Sequence, residues 1–473
     1  MSTNASPTWH FPARAHFASR PDRDALRVDD NAITWGALDD RTKRLAAAWA
    51  QESDASDVIA LPMARTLDTL LHLIALIRAG REIALLDPLA TADERQRAYA
   101  AVGATRLADD ERLAAIARLA DTASDAPRPT EINDAPWSPG RRLLRVLTSG
   151  TTGAPKPVPL TTDQVIASTL AGVSMLGSLP DDRWYSPLPW HHVGGVMIVL
   201  RALILGFQVE LTSHFDAAAS LARLRSGETQ LASFVPVMLE RILDGDDDRD
   251  ELKSWGTLRA LLIGGAATPQ HLLDRARAKG LPVARSWGMS ESASQIATAP
   301  PGVYDGPLPP LPFVQLSEHD GRLVLDGPQI LGGRLVTSDR GRISARGVEI
   351  LGRADDVFIS GGENIDPAEV EQALRGHDAV LEALVCGVHD DRWGERPVAF
   401  VRLAHPVEED ALKAYLASTL QRFKIPQTIF VVEDIPRNAM GKPDRQRARL
   451  LAKTSDPSTP SRSSQNEEQG AKA

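Results

Sequence analysis

The stretch LTSGTTGAPKPVPLT, residues 147–161, decides how the rest of the chain is read. It grows out of RLLRVLT, an apolar run that predicts a strand. The loop therefore leaves that strand at its C-terminal end, where open α/β sheets carry their ligand loops. Thr148, Ser149, Thr151 and Thr152 interleave four hydroxyls with Gly150 and Gly153, and Lys156 follows. On their own such clusters are more often ordinary turns. The spacing is not that of the G-x-x-x-x-G-K-[ST] loop: the glycines stand too close together and a proline follows Lys156. What remains is a set of backbone N–H groups, hydroxyls and one ammonium, suited to a group rich in anionic oxygens, a phosphate above all.

Outward from this loop, residues 1–140 alternate two textures. TKRLAAAWAQ and TLDTLLHLIALIRAG, the latter ending in Gly80, have helical periodicity, whereas DVIALPM and REIALLDP read as buried strands. Alternation of this kind predicts a parallel sheet with helices on its faces. DTASDAPRPTEINDAPWSPGRR is a polar, proline-rich connection. The alternation resumes through QLASFVPV, LRALLIGGAA and PVARSWGMS. Near residue 321 come short strand-like pieces, GRLVLDG, GGRLVTSD, GRISARG and VEILGR, which suit a small antiparallel subdomain. Beyond Gly352, DPAEVEQALRGH, AVLEALVCGV, RPVAFVRL and EDALKAYLASTLQRF read as helix, strand, strand and helix. The expected architecture is α/β: a large N-terminal domain over 1–353, with parallel sheets, flanking helices and the antiparallel subdomain, then a smaller α+β domain over 354–453. Residues 454–473, rich in Ser, Pro, Asn, Gln and Glu, predict a disordered tail.

Composition narrows the function. A chain of 473 residues exceeds one compact core. Its 53 basic and 62 acidic side chains leave a net charge of −9 with no basic block, which speaks against nucleic acid or an anionic membrane as partner. The one cysteine, Cys386, excludes an internal disulfide and, within LEALVCGV, reads as a buried strand thiol rather than a nucleophile. The N-terminus has no apolar h-region. The longest apolar run, VGGVMIVLRALILGF, is too short to span a bilayer and is interrupted by Arg201. A cytoplasmic location is expected, and the sequence leaves the oligomeric state open.

Residues 148–156 match [ST]-S-G-[ST]-T-G-x-P-K throughout. This resembles the phosphate loop of the adenylate-forming superfamily of acyl-CoA synthetases, luciferases and adenylation domains. The resemblance implies that the loop holds the β- and γ-phosphates of ATP, with Lys156 orienting the leaving pyrophosphate. Further stretches resemble the superfamily in the same order, over roughly residues 8–452. SWGMSES, 286–292, is similar to Y-G-x-T-E, with Trp and Ser where the family has Tyr and Thr. It implies Trp287 stacked near adenine beside Gly288, Ser290 bonded to the α-phosphate and Glu291 on Mg²⁺. LLIGGAA, with Gly264, Gly265 and Ala266, resembles the strand-end turn that adenine and the acyl group approach closely.

TSDRGR, 337–342, resembles T-G-D-x-G, with Ser338 for the glycine, and implies that Asp339 accepts the ribose hydroxyls. GRADDVFISGGENIDPAEVE, 352–371, resembles the interdomain signature. It implies Arg353 on ribose or phosphate, Asp355 as the hinge of a mobile C-terminal lid, and Ser360, Gly361 and Gly362 facing the pantetheine tunnel of coenzyme A. The same stretch also reads as a capped helix, with Asp366 as N-cap, Pro367 first and Glu369 third. PRNAMGKPDR, 436–445, resembles P-x-(T/N)-x-x-G-K-x-x-R and makes Lys442 the catalytic lysine. The implied chemistry is attack of a carboxylate on the α-phosphate, loss of pyrophosphate, and displacement of AMP from the acyl-adenylate by the thiol of CoA.

SPLPWHHVGGVMIVLRALILGFQVEL, 186–211, bears on the acid. Arg201 there must pair with a structural carboxylate, snorkel to solvent, or bind an anionic substrate group. H-x-(S/G)-G-x-x-x-x-x-R, from His192 to Arg201, and F-x-S-G-G-E at 358–363 resemble the o-succinylbenzoate–CoA ligase family of menaquinone biosynthesis. That resemblance implies a dicarboxylic substrate at Arg201, His192 and Gly265, with Lys442, Glu291 and His192 as the catalytic set. His191 and His192 read as pocket wall or cap rather than metal ligands. Three other readings stay open: a ligase for benzoate or a medium-chain acid, a stand-alone adenylation domain loading a carrier protein, and a non-catalytic nucleotide-binding homologue. Intact Lys156, Glu291, Asp339 and Lys442 speak against the last.

Overall fold

Strands form where β-branched and leucine-rich runs are flanked by turns, and helices where apolar residues recur with helical spacing. The computed structural model describes residues 10–122, 134–149, 155–246, 255–438 and 441–455. The chain divides into two compact units. The first runs to Ser317 and includes Val324–Val336 and Ile343–Val348; the second holds Glu318–Leu323, Thr337–Arg342 and the chain from Glu349 on.

Two mainly parallel sheets build the first unit. One has the order Arg106–Leu107, Val58–Pro62, Glu82–Leu86, Arg142–Ser149 and Pro155–Thr161, the last strand antiparallel to its neighbour. The other runs Ser294–Thr298, Val283–Met289, Ala260–Ile263, Leu231–Phe234, Arg183–Ser186, Gln208–Leu211, Asp24–Val28 and Asn31–Thr34, parallel except for its two outermost pairs. Helices Leu67–Arg78 and Val193–Leu205 are apolar around almost their whole circumference and correspondingly buried, as core helices must be. Thr66 caps the first of these, its hydroxyl accepting from the Thr69 amide. Among the described residues no helix is long and apolar enough to cross a membrane. The antiparallel pieces expected after residue 321 are present as Gln315–His319, Arg322–Asp326 and Arg334–Val336, and as the pair Asp339–Ser344 and Gly347–Arg353.

The second unit is built on the long antiparallel pair Val380–Asp390 and Gly394–Leu403. Phe358–Ser360 and Glu363–Ile365 form a hairpin that meets Gly394–Leu403 at Gly394, and Thr428–Val431 pairs parallel with the same strand further along, over Val398–Val401. Helix Pro367–Arg375 starts as its sequence dictates, with the Asp366 carboxylate accepting from the Ala368 amide and proline in the first turn. The EDALKAYLASTLQRF pattern is α-helical over Glu409–Ala417, and its last two residues open a separate 3₁₀ turn, Arg422–Lys424. The hydroxyls of Ser418 and Thr419 donate back to the carbonyls of Tyr415 and Leu416 and end the α-helix there. Cys386 is fully buried in its strand, and burial pushes its thiol up to about 11. The last helix, Arg445–Ser455, runs two residues into the segment read as a tail, whose remainder lies outside the described residues.

Candidate active site

The two ends of the opening stretch belong to paired strands. Strand Arg142–Ser149 pairs antiparallel with Pro155–Thr161, and the register joins Thr148 to Lys156 and Ser149 to Pro155. The Thr148 hydroxyl donates to the Lys156 carbonyl at 3.3 Å, and Lys156 is exposed. Gly150, Thr151, Thr152 and Gly153 lie outside the described residues. From Thr161 the chain turns directly into helix Thr162–Leu176.

Gly264, Gly265 and Ala266 follow strand Ala260–Ile263, whose parallel neighbour Val283–Met289 ends in Trp287 and Gly288. The two segments thus lie side by side at the carboxyl ends of parallel strands, the place for a ligand in such a sheet. Trp287 packs against the apolar cluster that includes Ile296 and Leu311. Ser290, Glu291 and Ser292 make one 3₁₀ turn, and Glu291 is half-buried. Among the described residues no group of three or more His, Cys, Asp or Glu gathers to hold a metal ion. One carboxylate is a fitting donor for Mg²⁺, which binds through one or two carboxylates, phosphate oxygens and retained water.

Arg201 lies on Val193–Leu205 and is 1% exposed. It neither snorkels nor finds a carboxylate: its Nε and one Nη have no hydrogen-bond partner among the described residues. The Trp184 ring lies 5.7 Å from its guanidinium carbon. A Cβ added to Gly172 would stand 2.7 Å from Gln295 Oε1 and 3.3 Å from an Arg201 Nη, so any larger residue there would press on the ends of both side chains. Burial alone pushes Arg201 down to about 10, which still leaves it cationic at neutral pH. His192 is the N-cap of the same helix, and its ring lies 4.0 Å from that of His191.

In the second unit, Arg353 joins two residues that the sequence singled out. Its guanidinium donates to both carboxylate oxygens of Asp355 at 2.9 and 2.7 Å, and to Asp339 at 3.3 Å. This pairing raises the Arg353 pKa against the effect of burial. Burial acts to raise Asp355, but Arg353 outweighs it and the carboxyl ends below its ordinary range. Lys442 is half-buried in the same field: burial and Arg353 lower its pKa, and Asp339 opposes them. At the lysine, the Asn438 carboxamide oxygen accepts from the Lys442 amide and the Arg437 guanidinium donates to the Gly441 carbonyl. Ser360 pairs with Glu363 across a two-residue hairpin turn made by Gly361 and Gly362, at φ of 59° and 90°. Such a turn requires glycine or its equivalents.

Residues 13–338 match the AMP-binding enzyme family, and residues 369–442 match the C-terminal domain of AMP-binding enzymes. The chain belongs to the AMP-binding enzyme family. Within it, the 2-succinylbenzoate–CoA ligase of Geobacillus kaustophilus (strain HTA426) is 31% identical over 91% of this chain and 95% of its own. That of Bacillus subtilis (strain 168) is 30% identical over 89% and 94%. Among solved structures, o-succinylbenzoate CoA synthetase from Bacillus subtilis in complex with the acyl-adenylate intermediate superposes with a TM-score of 0.79 at 28% identity, covering 94% of this chain and 98% of that one. The same enzyme with ATP and magnesium ion gives a TM-score of 0.79, with coverage of 93% and 99%.

The chain also carries polar groups here that no motif marked. Arg65 donates to the Pro187 carbonyl at 3.1 Å, and Asp87 lies 3.9 Å from His191. Burial lowers the His191 pKa, Arg65 adds to this and Asp87 opposes it. Asp87 directly follows strand Glu82–Leu86. A polar residue at the carboxyl end of a parallel strand was the available signal. Gln164 and Gln295 had none, being single buried amides outside every motif.

Proposed function

We propose that the protein is an ATP-dependent 2-succinylbenzoate–CoA ligase. It converts the acid, ATP and CoA to the CoA thioester, AMP and pyrophosphate through an acyl-adenylate. The observation that carries the choice of acid is Arg201: a fully buried, cationic guanidinium with no counter-ion among the described residues. An isolated buried charge of this kind is costly unless something anionic joins it. One carboxylate of a dicarboxylic acid supplies that partner while the other is adenylated, with His192 and Gly265 beside it.

In the first step a carboxylate oxygen attacks the α-phosphorus and the bond to the β-phosphate oxygen breaks. Thr148 and Lys156, with the loop between them, hold the departing phosphates. Ser290 bonds the α-phosphate, Trp287 stacks on the adenine, and Asp339 accepts from the ribose hydroxyls. Lys442 offsets the charge that builds on the α-phosphoryl oxygens. Mg²⁺, bound by Glu291 and the phosphate oxygens, supplies further charge neutralisation there. In the second step the CoA sulfur bonds the acyl carbon, its proton goes to solvent, and AMP leaves. The Ser360–Gly362 turn faces the pantetheine arm, and Asp355, released from Arg353, is the hinge between a domain over 1–353 and a lid over 354–453. Dependence on ATP and CoA suits the cytoplasm. The test is AMP and thioester formation by purified protein with ATP, Mg²⁺ and CoA, across 2-succinylbenzoate, benzoate and octanoate. Strong preference for the first is expected; preference for either of the others overturns the assignment of the acid.

A further inference from the structure

Two buried side chains of helix Thr162–Leu176 reach the turn that carries Glu291. Gln164, 2% exposed, uses both ends of its amide. Its oxygen accepts from the amide and hydroxyl of Thr161 at 3.1 and 3.0 Å, where the phosphate-loop strand passes into the helix. Its nitrogen donates to the carbonyls of Glu291 and Gln329 at 3.3 and 3.4 Å. Ser168, one helical turn further on and fully buried, donates its hydroxyl to the Ala293 carbonyl at 2.6 Å.

The turn they hold does not favour its own shape. Ala293 and Ser294 sit at φ of 51° and 104°, two successive non-glycine residues in the left-handed region. Such backbone persists only where its surroundings over-determine it. Gly288 approaches so closely that an added Cβ would stand 1.8 Å from the Ser294 carbonyl oxygen. Within the turn the Ser292 hydroxyl donates to the carbonyls of Met289 and Ser294, both at 3.0 Å. Gln164 and Ser168 are the ties from a separate element.

We infer that Gln164 and Ser168 are positioning residues: they hold the strained 289–294 turn so that Glu291 meets the metal–nucleotide complex, and they link that turn to the strand leaving the phosphate loop. The inference rests on Glu291 being the magnesium residue of the proposed ligase. Ser168→Ala removes one tie, and alanine suits a helix. Gln164→Met removes the other together with the cap at Thr161. If Gln164→Met is insoluble, Ser168→Ala carries the test alone.

Three quantities decide the matter. They are the Mg²⁺ concentration for half-maximal acid-dependent ATP–pyrophosphate exchange, Mn²⁺ affinity by EPR with a non-hydrolysable ATP analogue, and amide hydrogen exchange over 289–294. For Ser168→Ala the metal requirement should rise and Mn²⁺ affinity fall by about three- to tenfold, the scale of one lost hydrogen bond. Exchange in the turn should quicken, while thioester formation from preformed acyl-adenylate stays within about twofold of wild type. A lower melting temperature with an unchanged metal requirement would mean a merely structural role and overturn the inference. Glu291→Gln is the control. If it shifts the metal requirement and Ser168→Ala does not, the positioning role fails alone; if it shifts nothing, the reading of Glu291 fails and takes this inference with it.

Discussion

Arg78 and Arg201 occupy the same kind of place and are treated in opposite ways. Each lies in an apolar helix of the first unit and is 1% exposed. Arg78 donates to Asp134 at 2.6 Å, to Asp39 and Thr42 at 2.8 Å each, and lies against the rings of Phe11 and Phe17; only its second Nη lacks a partner. Arg201 has a tryptophan face, a glycine and an unpartnered glutamine oxygen beside it. The fold has neutralised the first charge completely and left the second available. Burial of an arginine is therefore no guide to its role. The counter-ions around it are.

This contrast can be broken by substitution. Arg78→Met should have the largest effect, on stability: it leaves Asp134 partly buried without its cation and Asp39 with Lys43 alone, and removing one partner of such a set costs about 3–5 kcal/mol. Denaturant unfolding checks it, and the folded fraction should keep wild-type KM values. Lys442→Ala should come next and act on rate alone. Loss of one stabiliser of a charged transition state costs about 10²–10³ in the first half-reaction, read by pyrophosphate exchange, with the melting temperature unchanged. The lowered pKa of Lys442 adds a pH signature. Its ammonium is lost as pH rises through that value, so the alkaline limb of adenylation should fall at lower pH than an ordinary lysine would give, and Lys442→Arg should remove the limb.

Arg201→Met is the inverse of Arg78→Met. Stability should hold or increase, because an unpaired buried charge is removed. Meanwhile kcat/KM for 2-succinylbenzoate should drop about 10²-fold, the scale of a truncated buried charge pair, and turnover of benzoate should barely change. Equal losses with both acids would assign Arg201 a structural role like that of Arg78. Gly172→Ala should have the smallest effect. The new methyl presses on Gln295 and Arg201, so KM for the dicarboxylic acid should rise about threefold, while a glycine-to-alanine change in a helix offsets part of the steric cost to stability.

The sequence carried the fold well because its elements are strongly patterned: the strand leading to the opening loop, the buried helices and the change of texture near residue 321 all appear as expected. It also posed the question of Arg201 correctly, since a charge in a run of small and apolar residues must be answered somewhere. The answer was not legible, because it depends on Trp184, Gly172 and Gln295, which come from three other segments. The grouping of Asp339, Arg353 and Asp355 was hidden for the same reason. The motifs read as separate roles, Asp339 and Arg353 on the nucleotide and Asp355 as a hinge, and only the folded second unit shows that the arginine bonds both carboxylates. Helix ends were blurred where side-chain hydroxyls compete with the backbone, as at Ser418 and Thr419.

Cys386 offers a practical consequence. It is the chain's one thiol, it is enclosed in the second unit, and its proton is held to about pH 11. Maleimide dyes, which react with thiolates, meet a silent background in the native protein. A cysteine placed at exposed Ile359, beside the glycine turn, could then be labelled cleanly without first stripping the chain of cysteine. A change in its fluorescence on addition of ATP and acid, and then of CoA, would report the proposed movement of the lid.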